Sequence, residues 1–126
     1  GPEQESVWEM NVKSWINGPL PEQGALRAGW TQIHGVAFGG TRAVRGVEVS
    51  IDGGKTWQQA QPVGPDLGRF AWRPFVLPVQ LAAGTHVLAS RATDASGNVQ
   101  PEGRVDNLEG YNNASWLDHS VTVTVA

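Results

Sequence analysis

The residues whose types and spacing come nearest to chemistry are Ser50-Ile51-Asp52-Gly53-Gly54-Lys55-Thr56-Trp57. Gly54-Lys55-Thr56 has the ending of a phosphate-binding loop, in which backbone N–H groups cradle phosphate and a lysine neutralises it. That motif needs a glycine five positions before Gly54, where Val49 stands, and no helical pattern follows. The residues fit a different pattern, S-x-D-x-G-x-T-W, known as an Asp-box. In it the carboxylate of Asp52 accepts nearby backbone N–H groups, glycines take positive φ, and Trp57 pins the returning strand to a core. Local bonding accounts for Asp52 without a catalytic or calcium-binding role. His34, His86 and His119 lie far apart, with neither His-x-His nor HExxH spacing, so no metal site is read from them. Asp94, Glu102, Asp106, Glu109 and Asp118 gather in residues 94–118 but lack EF-hand spacing, which reads as a solvated loop. Asn113-Ala114-Ser115 is a formal glycosylation sequon, without meaning in a bacterial source.

The elements that must position these groups read as strands. A short strand around Lys13–Ile16 closes at Asn17-Gly18-Pro19, and Pro19 and Pro21 bar helix through the turn. Gly29–Phe38 carries Trp30, Ile33, Val36 and Phe38 in an irregular alternation that reads as a bulged strand. Val47, Val49 and Ile51 alternate with Glu48, Ser50 and Asp52, the period of two of a half-buried strand leading into the Asp52 turn. An aromatic strand follows over Arg69–Val79 with Phe70, Trp72 and Phe75, and Pro74 and Pro78 assign it to an edge or a bulge. Leu81, Ala82, Ala83, Leu88 and Ala89 would suit a helix, but Gly84-Thr85 interrupts them. Val87, Ala89, Arg91 and Thr93 then alternate with their neighbours as far as the turn Asp94–Asn98, so this stretch reads as strand. Ser120–Val125, with Val121, Val123 and Val125, is the least ambiguous strand.

Composition bounds the function classes. The 126 residues fit one domain, residues 12–126, large enough to bury roughly two-thirds of its unfolded surface without staples. Residues 1–11 read as a polar linker arm with only Trp8 and Met10 as large apolar groups, and Gly1-Pro2 has the form of a cleaved-tag remnant. There is no cysteine, which excludes disulfides, zinc–thiolate sites and cysteine nucleophiles. A net charge of −3 makes no electrostatic case for nucleic acid or an anionic membrane as partner. No apolar run reaches the roughly 18 residues of a membrane span. About seven short strands and no helix define an all-β fold, an immunoglobulin-like antiparallel β-sandwich. Asp-box turns also recur in β-propellers, but these need several blades, and no internal repeat is present.

Three landmarks in order carry a family resemblance: Val47–Trp57, then Ala71-Trp72-Arg73, then Arg91–Glu102. With Asn107-Leu108, Gly110, Asn112-Asn113-Ala114 and Trp116 following, the chain from Val12 onward resembles the C-terminal dimerisation domain of sulfite oxidase-type molybdenum oxidoreductases, a sandwich of E-set type. Sulfite dehydrogenases and plant nitrate reductase share that domain. The resemblance implies a structural module without catalytic activity of its own, pairing as a homodimer and buttressing an N-terminal molybdopterin domain. A two-fold interface of that kind should be self-complementary, largely apolar and about 2,000 Å² or more in total. The family binds molybdenum through a pterin dithiolene and a cysteine thiolate; without cysteine, no cofactor is expected in this chain, and the molybdenum-molybdopterin belongs to the catalytic domain. Substrate remains open between sulfite, sulfane sulfur and nitrate, and a bacterial sulfite dehydrogenase-like parent would be periplasmic.

The resemblance also implies a role for one side chain. Sulfite-oxidising members place an arginine of an A-W-R-[LP]-[WF] segment in the substrate-anion pocket, and Arg73 matches it. A guanidinium offers a planar fork of donors and a permanent charge to an oxyanion. The plainer reading is a strand arginine stacked beside Trp72 or paired with an acid. This chain has Pro74-Phe75 where the family often has Leu-Trp, which bears on local strand geometry. The six tryptophans support a rival reading: a free-standing module recognising glycans or proteins through exposed aromatics, with Trp8, Trp15, Trp72 and Trp116 in arms, edges or loops.

Overall fold

A computed structural model describes residues 12–68, 71–103, 105–107, 110–112 and 115–126. The linker arm with Trp8 and Met10 lies outside them, as do Phe70 and Asn113. Among the described residues there are ten strands: β1 (Lys13–Gly18), β2 (Gly29–Phe38), β3 (Val44–Ser50), β4 (Gln58–Gln59), β5 (Gln61–Pro62), β6 (Trp72–Leu81), β7 (Gly84–Asp94), β8 (Val105–Asn107), β9 (Gly110–Asn112) and β10 (Val121–Val125). Four of these are only two or three residues long, so the count exceeds the expected seven through short additions. Pairing is antiparallel throughout, in a sheet of order β1-β2-β6-β5, a second of order β10-β7-β3-β4, and a β8-β9 ribbon.

Alternation decides which side chains meet between the sheets. Ile16, Ile33, Ala37, Phe75, Leu77, Val79 and Leu81 come from the first sheet, and Val47, Val49, Leu88, Ala92, Val123 and Val125 from the second. Burying each large aliphatic or aromatic side chain contributes about 1.5–3 kcal/mol. The helical option over Val79–Ala95 fails because Leu88, Ser90, Ala92 and Asp94 are all buried at a period of two, the spacing of a strand, whereas Leu81 ends the preceding strand.

Polar groups tie the two sheets together inside this core. Ser14 on β1 and Ser90 on β7 are both buried, with their hydroxyl oxygens 2.7 Å apart. The Ser14 hydroxyl donates to Gln100 Oε1 at 2.6 Å, so Ser90 donates to Ser14. Gln100 Oε1 also accepts the Ala92 N–H at 3.2 Å, and its Nε2 donates to the Ser14 carbonyl at 3.2 Å. Gln100 is delivered to this place by Asp94, whose carboxylate accepts the N–H groups of Ser96 at 2.9 Å and Asn98 at 3.0 Å and the Asn98 side-chain amide at 3.0 Å. The turn returns the chain antiparallel to β7, where Gln100 N–H bonds the Ala92 carbonyl. Asp94 is therefore fully buried, which corrects its reading as a member of a solvated loop.

Other expectations shift for local reasons. The irregularity expected in β2 falls in β1, between Ile16 and Gly18, while β2 runs in unbroken register along β6. β6 is not bulged: Pro74 pairs with Val36 and Pro78 with Gln32. The Pro74 carbonyl accepts the Val63 N–H on the opposite side from β2, so its donorless nitrogen also faces away from that neighbour. Pro21 opens a single 3-10 turn, Pro21–Gln23, since a proline in the first turn forfeits no internal hydrogen bond.

Replacing Gln100 with alanine should strand the buried Ala92 N–H and Ser14 groups and cost about 2–4 kcal/mol. Urea denaturation should show this as a lower midpoint at unchanged slope, and a loss below about 0.5 kcal/mol would deny the clasp its role.

Candidate functional site

Arg73 shares the inward parity of Phe75, Leu77 and Val79 on β6 but sits near the strand's start, at the mouth of the sandwich opposite Ala37. There the sheets part around a cleft of about 230 Å³ lined by Arg45, Gly46 and Val47 of β3, Gln59 and Ala60, and Asp66, Arg73 and Phe75. Inward parity shelters the guanidinium, leaving the side chain 18% exposed. Its ion-pair partner is Asp66, with Nη1 3.3 Å from Oδ1, while Nε is buried without a hydrogen-bond partner. Arg45, exposed on β3, forms no ion pair among the described residues and adds a second positive charge to the cleft. The cleft thus gathers two guanidinium groups, one of them paired with the Asp66 carboxylate.

The outward face of the first sheet has a different character. Trp15 on β1, Val36 and Phe38 on β2, and Trp72, Pro74, Val76 and Pro78 on β6 alternate with the core residues and share one face. Trp72 is the hub, 43% exposed, with its ring centroid 5.0 Å from both Trp15 and Phe38. The Lys13 ammonium lies 5.8 Å from the Phe38 centroid and 5.9 Å from that of Trp72. Trp30, 73% exposed, opens the same face of β2. This sheet face is rich in aromatics and proline and leaves large apolar side chains exposed together, as recognition surfaces do. The sequence hint was present in the alternation of Val36 and Phe38 with Ile33 and Ala37, but only the β1-β2-β6 pairing joins those residues to Trp15 and Trp72.

The Ser50–Trp57 turn lies on the outward side of the second sheet, away from the cleft. Asp52 Oδ1 accepts the N–H groups of Lys55 at 3.0 Å and Thr56 at 2.9 Å and the Ser50 hydroxyl at 2.7 Å, and Oδ2 accepts the Thr56 hydroxyl at 2.6 Å. Ser50 Oγ accepts the Gly54 N–H at 2.8 Å. At Gly54, φ is +97°, and a Cβ would come within 2.4 Å of the Trp116 ring. Trp57 meets Trp116 edge-on at 5.0 Å, with the Arg91 guanidinium 4.1 Å above Trp57 and bonded to Glu48 at 2.9 Å. Trp116 is therefore buried, not an exposed platform; its position is set as the Ser115 hydroxyl donates to the Glu102 carbonyl and its own N–H bonds the Pro101 carbonyl.

No metal centre arises from these groups. His34 lies against Gly18, His86 Nε2 is 2.8 Å from the Ala82 carbonyl, and His119 packs 5.8 Å from Trp15. Among the described residues no three His, Asp or Glu side chains converge as ligands. A molybdenum-pterin site of the thiolate type does not fit this chain, which has no cysteine to supply the soft ligand.

Comparison with known proteins places these features. The profile of the Mo-co oxidoreductase dimerisation domain matches residues 4–125. Sulfite oxidase of Gallus gallus is 36% identical over 88% of this chain and 26% of its own length. Mitochondrial sulfite oxidase of Mus musculus is 38% identical over 95% of this chain and 23% of its own. Nitrate reductase [NADH] 2 of Phaseolus vulgaris is 35% identical over 86% of this chain and 14% of its own. The chain thus spans about a quarter or less of the length of these relatives. The sulfane dehydrogenase SoxCD of Paracoccus pantotrophus superposes with a TM-score of 0.71 at 30% identity, over 93% of this chain and 33% of that one.

The Asp52 turn makes stability sensitive to acid. The Thr56 hydroxyl foremost, then the Ser50 hydroxyl and the Thr56 and Lys55 N–H groups, hold its carboxyl well below the usual carboxylate range. The unfolded chain therefore takes up this proton first as pH falls below about 4, and the stabilisation, complete above that pH, is lost progressively toward the folded value. Asp52→Asn should be less stable than the parent at pH 7, with the gap narrowing below pH about 4 in denaturant titrations. A gap that stays constant down to pH about 3 would mean that the charge of Asp52 contributes nothing to the turn.

Proposed function

Since this chain belongs to the Mo-co oxidoreductase dimerisation-domain family, we propose that it pairs with a second copy of itself within a sulfite oxidase-type molybdenum enzyme and lends Arg73 to that enzyme's oxyanion site. The observation that carries the pairing is the aromatic outer face of the first sheet. Trp15, Phe38, Trp72 and Val76 form a band whose desolvation favours association, and a two-fold axis through one such band brings it against its own copy. Sulfite oxidase and nitrate reductase relatives, together with the sulfane dehydrogenase, support a small sulfur or nitrogen substrate for the whole protein. The molybdenum cofactor belongs to a separate catalytic domain, which supplies the redox chemistry. What this chain contributes there is charge: a sheltered guanidinium with an unfilled Nε donor, positioned by β6 at the mouth of the sandwich.

The glycan-recognition reading draws no support from these relatives, and burial of Trp116 removes one of the four aromatics on which it relied.

Light scattering of the chain at micromolar concentration should give a dimer mass, and Val76→Lys, which places a cation on the face without touching the core, should give a monomer with unchanged circular dichroism. A Val76→Lys protein that stays dimeric would move the interface elsewhere. In the full-length enzyme, Arg73→Met should raise KM for sulfite by roughly tenfold or more at unchanged molybdenum content, as expected for loss of a charge-assisted contact worth about 1.5–3 kcal/mol. Unaltered kinetics would take Arg73 out of the site.

A further inference from the structure

The outer face of the first sheet carries almost no fixed charge, and its middle holds a group whose charge can be switched. Among the outward residues of β1, β2 and β6, Lys13 is the only lysine, arginine, aspartate or glutamate. It stands at the aromatic end, 5.8 Å from the Phe38 ring centroid. His34 is exposed midway along β2 between Trp30 and Phe38, opposite Val76 of β6 on one side and Gly18 of β1 on the other.

The imidazole is held on this face by the shape of its neighbour. A Cβ at Gly18 would lie 2.2 Å from His34 Nε2, so the ring fills the space above that glycine. The elements packed beside it offer no counter-ion. β6 presents no titratable outward side chain, and β1 presents only the Lys13 ammonium. Glu22, in the 3-10 turn that follows β1, is exposed and forms no ion pair with His34. His119, against Trp15, is the second imidazole near the band.

We infer that His34 makes the pairing of this face depend on pH: the face associates with its second copy while the imidazole is neutral and releases it when the imidazolium forms. The inference rests on the reading of this face as the pairing surface and adds the group that regulates it. Histidine is the side chain whose ordinary proton uptake, near pH about 6.5, falls in the physiological range. Covering a neutral imidazole with a partner costs little, whereas covering an imidazolium among Val, Pro and Trp side chains takes a charge out of water with no carboxylate to receive it. Two-fold pairing doubles the effect, since each protomer brings its own His34. The dimer therefore binds fewer protons than two separate chains. Pairing is complete above the ordinary histidine range and is lost as pH falls through it. Protonation does reversibly, one strand away, what Val76→Lys does permanently.

The test is the dimer dissociation constant of this chain, from sedimentation equilibrium at pH about 8 and about 5.5 and at fixed ionic strength. Both conditions lie above the acid range in which the Asp52 turn weakens, and unchanged circular dichroism checks that the fold is intact. At the lower pH each chain must shed a proton at a cost of about tenfold, so the constant should rise about 100-fold. His34→Gln, with His34→Ala as a second neutral variant, should dimerise at both pH values with less than about a threefold change. His119→Gln should keep the full rise. A constant that does not move with pH, a rise that both His34 variants retain, a rise that His119→Gln removes, or loss of pairing at high pH in both His34 variants would each overturn the switch. Failure of the wider reading has a separate signature. A dimer that Val76→Lys splits but pH leaves intact refutes the switch alone, whereas a dimer that survives Val76→Lys, or a parent chain of monomer mass, refutes the pairing face and the switch with it.

Discussion

The fold hangs on one buried side-chain amide. Gln100 receives a hydroxyl proton from the first sheet and a backbone N–H from the second, and returns a proton to the Ser14 carbonyl. Each of these groups would be costly to bury alone, by about 1–3 kcal/mol for an unsatisfied donor or acceptor. Together they satisfy one another, and the geometry that does so admits a single spacing and register of β1 against β7. Apolar contact between the sheets is non-directional and tolerates sliding; the Ser14–Gln100–Ser90 link does not. The Asp94 turn follows from the same requirement, because only a tight reversal returns Gln100 to a place beside Ala92.

Carboxylates in this chain serve the backbone more than they serve chemistry. Asp52 and Asp94 each collect N–H groups from the residues that follow, one on the outer side of the second sheet and the other at the end of β7. Both are saturated by their own turns and have little capacity left for a ligand. Arg73 is the contrast. Its Nε is buried without a hydrogen-bond partner, one of two such side-chain atoms, with Thr41 Oγ1, among the described residues. A structural arginine at that position would be expected to fill its fork.

Much of the strand pattern was legible because period two is a local property. Val47, Val49 and Ile51 announced β3, and Val121, Val123 and Val125 announced β10. The Ser50–Trp57 turn was legible for the same reason, since a carboxylate bonding the N–H groups three and four residues on needs no distant partner. What misled were residues whose environment is assembled from afar. Pro74 and Pro78 signalled an edge or a bulge; β6 has no bulge and lies between β2 and the two-residue β5, because antiparallel pairing points alternate backbone groups away from β2 and both prolines use those positions. Asp94 looked solvated among acids, and Trp116 looked exposed in a loop, until the turn and the Trp57 edge contact enclosed them.

The sequence by itself determined the all-β class, the strand periods, the turn chemistry and, through the ordered landmarks around Trp57, Arg73 and Gln100, the family. It also excluded thiolate chemistry, because that depends only on whether a residue type is present. Tertiary structure alone decided that Trp15, Phe38 and Trp72 share one surface, that Gln100 reaches Ser14 across 86 residues of chain, and that Asp66 faces Arg73 across the cleft. The division has a physical cause. Backbone periodicity and turn bonding act between near neighbours in the chain, whereas a surface, a cross-sheet hydrogen bond and an electrostatic cleft exist only after strands distant in sequence have chosen their partners and register.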